Sequence, residues 1–365
     1  MLVNLAYLIG RPTGTTTYAL NLIPYLNALA PRYLATPASG LKSYTSVPDN
    51  MTADEGIAGH IRRLVWTQFA LPKYRQEASE LIFSPVPEAP LPLLGQQHRA
   101  RSVVMFHDLI PLRFPEFFGS IKLFYRYYVP QILSRAEKVI CNSEATARDV
   151  VEFYGISSQK LAAIPLAYDR QHFQPTQLIP ELTEASDIND RPYFLMLGRQ
   201  APYKNLGRVI EAMRQISDHC VLVIAGPNDA RYTPQLKAQA DELGVRSRIK
   251  FLSYIPYAQL PALLSHAHAL IFPSLWEGFG LPVLEAMACG TPVISTNVSS
   301  LPEVVGDAAL LIDPYDVSAI ASAMNKVAKD TLLRQQLSRA GLARAQQFSW
   351  EKTGKATVEV LRKYL

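Results

Sequence analysis

The stretch of this chain richest in chemistry runs from Phe272 to Thr291, FPSLWEGFGLPVLEAMACGT. Glu277 precedes a glycine turn, Gly278-Phe279-Gly280. Leu281-Pro282 then opens a predicted helix, proline being tolerated in a first turn, and Gly290 is its expected terminator. A helix that begins on glycine leaves backbone N–H groups without intrahelical partners at the end that carries partial positive charge. That combination suits an anion, a diphosphate among others. Glu285 falls on the second turn, so both carboxylates can face one crevice. A carboxylate only accepts hydrogen bonds and can take two hydroxyls. Two of them beside an anion site suit a ligand with polyols on both sides of its phosphates, as in a nucleotide sugar. Two glutamates eight residues apart are alone a weak signal, and the plain alternative is one surface and one helix-capping glutamate. The glycines, proline and terminal ACG in this order make it stronger.

Arg199 and Lys204 follow a predicted strand at Tyr193–Leu197. Loops at the C-terminal ends of strands are where α/β sheets hold ligands. A guanidinium fork and an ammonium both suit pyrophosphate oxygens. Two solvated surface cations are an equally good account of these residues taken alone. Nearer the N-terminus, Gly14 in RPTGTT sits between a strand and a helix, where its backbone could approach phosphates. No G-x-G-x-x-G occurs there, which disfavours a dinucleotide cofactor. His107-Asp108 ends the run VVMFHD, and Asn142-Ser143 follows another strand; Ser143 is equally an N-cap candidate.

The elements that must position these residues alternate between short β-rich runs and helical periodicity. Strands are expected at Leu2–Leu8, Leu81–Ser84, Ser102–His107, Lys138–Cys141, Tyr193–Leu197, Val221–Ala225, Ile249–Phe251, Ala269–Phe272 and Pro292–Ser295. Helices are expected at Thr16–Leu29, Ser120–Arg135, Glu144–Tyr154, Asn205–Ile216, Thr233–Leu243 and Ala258–Leu264, and through most of the chain from Val317. Continuous runs such as VLVIAG suit strands covered on both faces, hence parallel sheets between helices. The expected fold class is α/β, with two Rossmann-like domains whose parallel sheets face a central cleft. The expected boundaries are 1–171, a proline-punctuated linker at 172–192, 193–347, and a last helical segment at 348–365 that crosses back to the first domain.

The bulk properties agree. A chain of 365 residues with 48% hydrophobic and 18% charged residues is ordinary for two globular domains. Cys141, Cys220 and Cys289 are odd in number and widely spaced, which argues against a disulfide framework or zinc site and for three buried small hydrophobes. The first residues lack a basic region and a cleavage site, and no apolar run has the length to span a bilayer, so the expected setting is cytoplasmic. A net charge of +5 suits a pyrophosphate and also a peripheral contact with an acidic membrane surface. No zinc-finger, helix-turn-helix or RNP-like pattern points to nucleic acid.

With these residues in view, the chain resembles the GT-B glycosyltransferases of the large retaining group called family 4. The resemblance runs nearly the whole length: HDLIPLRFPE at 107–116, LGRQAPYKN at 197–205, VIAGP at 223–227, the EGFGLPVLE block, and GTPVISTNVSSLPEVVGDAALLIDP at 290–314. It implies that Glu277 contacts the donor sugar, that Glu285 holds the ribose, and that the Gly278-Phe279-Gly280-Leu281 backbone binds phosphate and sugar. It also implies that Arg199 and Lys204 offset the diphosphate's charge as the glycosidic bond breaks. A histidine at a strand end is more often structural. The resemblance instead puts His107 beside the donor sugar as a hydrogen-bonding residue. Ser253, within FLSYIP, would lie near the base. UDP-glucose is the favoured donor and GDP-mannose the alternative. No strand-flanked D-x-D occurs, so neither a metal nor a separate cofactor is expected. The acceptor would be a glycan or lipid-linked saccharide met by the first domain. The aromatic, basic stretch 120–135 reads rather more as a core helix with a solvated edge than as an acceptor face. A non-catalytic nucleotide-sugar-binding subunit is the alternative of another class.

Overall fold

Two all-parallel sheets organise the chain, as the buried β-branched runs require. The structure, a computed structural model, describes residues 1–10, 13–92, 100–178, 191–253 and 255–365. Its contacts divide it into unit 1, Met1–Leu166 with Trp350–Leu365, and unit 2, Ala167–Ser349.

In unit 1 the strands are β1 Leu2–Leu5, β2 Arg32–Ala35, β3 Thr45–Ser46, β4 Ile82–Ser84, β5 Ser102–Phe106, β6 Lys138–Cys141 and β7 Leu161–Ala163. They lie in the order β3-β2-β1-β4-β5-β6-β7. The expected strand Leu2–Leu8 stops at Leu5, because the chain turns there: Leu8 N–H donates to Leu5 O at 3.1 Å and Ala6 N–H to Asn4 Oδ1 at 3.2 Å. The first helix starts at Gly14, two residues earlier than expected, since the Thr13 side chain caps it by accepting from Thr16 N–H. The expected helix over 120–135 is present but broken, with a π-turn at Phe124–Tyr128 between helical pieces Ile121–Leu123 and Val129–Arg135. Val129, Ile132 and Leu133 enter the core. A helix at Gly56–Phe69, absent from the expectations, packs Trp66 inward. The final helix Trp350–Arg362 packs on helix Gly14–Leu26, where Gly354 meets the Tyr25 ring closely enough that a Cβ would overlap it.

In unit 2 the strands are β8 Tyr193–Leu197, β9 Val221–Ala225, β10 Ile249–Leu252, β11 Ala269–Phe272, β12 Val293–Thr296 and β13 Leu310–Ile312, in the order β10-β9-β8-β11-β12-β13. The core is built from these strands and the helices that cover them, Met324 and Val327 of helix Val317–Lys329 included. Of the linker expected at 172–192, residues 179–190 lie outside the described residues. Its first part packs on unit 2, with Phe173 buried and the His172 ring stacked on Tyr257 at 3.9 Å. All three cysteines are buried and unpaired. Among the described residues no helix is long and apolar enough to cross a membrane.

Each sheet reverses its winding at one place, between β1 and β4 in unit 1 and between β8 and β11 in unit 2. In doubly wound sheets the crevice for ligands opens there, beyond the C-terminal strand ends.

Candidate functional site

In unit 2 the reversal brings together the loops after β8 and β11. Asn205, at φ 64°, ends the 3-10 turn Pro202–Lys204, so the helix expected from Asn205 begins at Leu206. Its side-chain amide donates to Pro273 O at 3.0 Å and Pro314 O at 2.6 Å, while Leu275 N–H donates to Tyr203 O at 2.8 Å. These bonds bind the two loops to one another. Buried Gln200 holds the neighbouring β9 loop through Gly226 O and Asn228. Gly226 touches Gly198 so closely that a Cβ there would lie 2.1 Å from Gly198 O.

Lys204 and Glu277 meet in this frame. Lys204 Nζ lies 2.5 Å from Glu277 Oε1, and the two side chains are only 15% and 11% exposed. The ammonium also sits 4.8 Å from the Phe272 ring centre. Arg199 stands exposed on the same loop as Lys204. The Glu277 backbone is itself fixed, its N–H donating to Ser299 Oγ at 3.1 Å, while Ser300 Oγ donates to Glu277 O and Phe279 O.

Gly280 then begins helix Leu281–Ala288 at φ 104°, a backbone state that favours glycine. A Cβ there would also lie 2.7 Å from Leu301 Cδ2. Glycine brings no capping side chain, Pro282 has no N–H and Val283 N–H donates to Gly280 O at 3.0 Å, so the amides this turn can offer an external acceptor are those of Gly280 and Leu281. The Phe279 ring is buried against Phe348, leaving backbone as what this turn presents. Glu285, one turn into the helix, is partly buried. Burial pushes its carboxyl up to about 7, and its charge also acts on Tyr257 and Cys289. Ser253 is exposed just past β10; Tyr254 of the FLSYIP stretch lies outside the described residues. A separate hollow of about 490 Å³, lined by His268, Arg334 and Arg339, flanks the opposite, N-terminal ends of β11 and β12, away from these carboxylates.

In unit 1, His107 follows β5. Its Nε2 lies 2.9 Å from Pro85 O, and since a carbonyl only accepts, Nε2 carries the proton. Burial lowers its pKa to about 4. At neutral pH the imidazole is therefore uncharged, with Nδ1 an acceptor, suited to a hydroxyl and poorly suited to general-base work. Tyr18 packs edge-on against it at 5.5 Å. Asp108 accepts from Ile110 N–H at 3.0 Å, a turn-forming role. Ser143 is an N-cap, accepting from Thr146 N–H at 3.0 Å, and Thr146 reaches back to His107 O. Asn142 is buried. Gly14 is the exposed first residue of its helix; Arg11 and Pro12 before it lie outside the described residues.

A buried charged pair in unit 1 has no signature in the sequence. Glu88, 3% exposed, lies four residues past β4 and takes a bidentate contact from Arg63 at 2.9–3.1 Å. Arg63 also donates to Met51 O and contacts His60 Nδ1. No local signal joins an arginine in an unforeseen helix to a glutamate in SPVPEAP.

Known proteins resemble both halves. Residues 12–172 match the pattern of Glycosyltransferase Family 4, and residues 179–344 that of Glycosyl transferases group 1. The O-antigen chain mannosyltransferase B of Escherichia coli is 31% identical over 270 residues, covering 72% of this chain and 70% of its own length. The serotype-specific mannosyltransferase WbdA of Escherichia coli is 29% identical over 269 residues, but the match spans only 33% of that longer protein. Among solved structures, Thermosynechococcus elongatus sucrose-phosphate synthase superposes with a TM-score of 0.75 at 21% identity, covering 100% of this chain and 98% of that one. Anabaena HepE, solved with UDP and glucose, gives 0.76 at 19% identity with 99% of both chains covered. At such identities the structural likeness speaks for fold alone.

Proposed function

The chain belongs to the glycosyltransferases of group 1 and family 4 and has their GT-B fold, and from that premise we propose that it moves mannose from GDP-mannose, with retention, onto a glycan or lipid-linked saccharide in polysaccharide assembly. The observation that carries the donor site is the Lys204–Glu277 contact beside a glycine-capped helix at the sheet reversal of unit 2. In this reading the diphosphate sits at the Gly280–Leu281 amides with Arg199 and Lys204 on its oxygens. Lys204 exchanges part of its contact with Glu277 for phosphate, which leaves that carboxylate to take donor-sugar hydroxyls. Glu285 takes the ribose hydroxyls, and Ser253 lies on the base side. Unit 1 carries the acceptor, and His107 Nδ1 accepts from a sugar hydroxyl. The C1–phosphate bond breaks as an acceptor oxygen bonds to C1 from the same face, and the acceptor's proton passes to the leaving phosphate. The two cations and the helix end stabilise the charge that develops there. No divalent metal takes part, and the setting is cytoplasmic.

Mannose is preferred because the relative matched at 31% identity over most of its length is named for it. UDP-glucose is the second reading, favoured by the UDP and glucose in HepE. A thermal-shift panel of GDP, UDP and ADP, then their sugars, separates them, since a ligand that binds only the folded chain raises its melting point. Transfer by the purified chain, lost in Glu277→Ala, supports catalysis. Nucleotide binding without hydrolysis or transfer to any saccharide would leave a binding subunit instead.

A further inference from the structure

The hollow at the N-terminal ends of β11 and β12 is a second polar site within unit 2. One wall belongs to helix Thr331–Ala345. The other is the chain at Ala267, His268, Gly290 and Pro292, where it enters those two strands. Thr331, Arg334, Gln335, Ser338 and Arg339 recur at the spacing that keeps residues on one side of a helix, and all five line the hollow. At 3.6 residues per turn, the Thr331 and Ser338 hydroxyls and the Gln335 amide run along the middle of that side, with an arginine on each flank. The wall is held close. Gly290, at φ 74°, sits where a Cβ would lie 3.2 Å from Ser338 Oγ, and a Cβ on Gly341 would lie 3.3 Å from Met287 Cγ. The same helix therefore packs on helix Leu281–Ala288, whose other end carries the glycine turn.

Charge and size define what the hollow takes. Among the described residues, no Asp or Glu lines it. Arg334 donates to Val327 O, Ala328 O and Thr331 Oγ1, and Arg339 to Gln335 O, so among the described residues neither guanidinium has a carboxylate partner. Asp330, next to Thr331, is exposed and caps the helix by accepting from Leu333 N–H at 2.9 Å. Burial first, then the nearby charge of Arg334, holds the His268 imidazole below its ordinary pKa, leaving a neutral ring that offers an N–H. Two arginine forks without acid partners suit phosphate oxygens. About 490 Å³ is more than one inorganic ion fills and is the size of a small-molecule site. The hydroxyls and amide between the arginines can pair with ligand hydroxyls, and Ala267 and Pro292 offer apolar surface to a carbon skeleton. We propose that this hollow binds a small phosphorylated polyol, a sugar phosphate by class, with Arg334 and Arg339 on the phosphate and Thr331, Gln335 and Ser338 on the hydroxyls. The proposal goes beyond the donor reading and does not need it, since the hollow lies at the opposite strand ends.

Calorimetric titration of the purified full chain with mannose 6-phosphate, inorganic phosphate and mannose, each separately, tests it. Mannose 6-phosphate should bind roughly tenfold or more tighter than either of the others, and less tightly as salt rises. His268→Gln with Arg339→Gln should weaken that binding roughly tenfold or more while circular dichroism stays unchanged. Should that pair misfold, Gln335→Glu sets a carboxylate beside the phosphate from an exposed position and should weaken binding by a similar factor, roughly tenfold. Arg199→Gln with Lys204→Gln, at the donor turn, should leave mannose 6-phosphate binding as it is. Wild type that binds no mannose 6-phosphate overturns the proposal, as does equal affinity for inorganic phosphate. Binding that survives both hollow variants but is lost in the Arg199 and Lys204 pair overturns it in favour of the donor turn. Mannose 6-phosphate bound as expected, with neither GDP nor UDP bound, supports the hollow and faults the donor reading alone.

Discussion

Replacing Glu285 with glutamine should make unit 2 more stable and the enzyme worse. Burial holds this carboxyl at about 7 against an ordinary 4.5. Between those values the folded state keeps a proton that the unfolded state has released, so stability falls as pH rises. The contribution is fully present below 4.5 and gone above 7. At 1.36 kcal/mol per pKa unit, the ionised carboxylate costs the fold about 3 kcal/mol at pH 8. Glutamine never ionises, so Glu285→Gln should match wild type near pH 4.5 and exceed it by about 3 kcal/mol at pH 8. With a urea m-value of about 2 kcal/mol/M, that is a midpoint shift of about 1.5 M. Urea unfolding followed at both pH values measures it, and any separate transition of unit 1 serves as an internal reference. Glutamine accepts through one oxygen where the carboxylate has two, so nucleotide affinity should fall in the same variant. A site kept at the expense of stability is the expected signature of a binding role. A stability difference that is the same at both pH values, or a variant less stable than wild type at pH 8, would mean that the buried Glu285 carboxyl does not carry this cost.

Three further outcomes follow from the same geometry. Arg199 is exposed, so Arg199→Ala should weaken nucleoside-diphosphate binding by only about 1 kcal/mol, read by calorimetry, and the loss should shrink in high salt. His107, held neutral to about 4, adds stability that is complete above 6.5 and lost as pH falls through 4; His107→Asn should remove up to about 3 kcal/mol of that acid sensitivity in unfolding experiments. Gly280→Ala puts a Cβ on a left-handed residue 2.7 Å from Leu301 Cδ2, so it should cost about 1–3 kcal/mol of stability by thermal unfolding and weaken nucleotide binding more than nucleoside binding.

Much of the sheet framework was legible because parallel strands covered on both faces must be apolar throughout. The strands Val221–Ala225 and Ala269–Phe272 are of this kind, and their observed bounds match the expected ones. Short edge strands carry too few residues for any periodicity, so Thr45–Ser46 and Leu310–Ile312 left no trace. Helix Gly56–Phe69 was hidden for a different reason: its apolar ridge faces solvent, and its two glycines interrupt the pattern. The glycine turn that opens helix Leu281–Ala288 and the glutamates on either side of it were readable, since strand, turn and helix are local. The contact between Lys204 and Glu277 was not, because 73 residues separate them and the β8–β11 pairing that brings their loops together is not local. The proton position on His107 likewise depends on Pro85, which sequence does not place beside it.

In the proposed function the turn at Gly280, with Lys204 and Arg199, seats two linked phosphates. Calorimetric titration of the purified chain with GDP and, separately, with guanosine tests it most directly. One GDP should bind per chain, with guanosine weaker by roughly a hundredfold or more, the phosphate contacts being charge-assisted. Equal affinity for the two, or heat from neither GDP nor UDP, would contradict it.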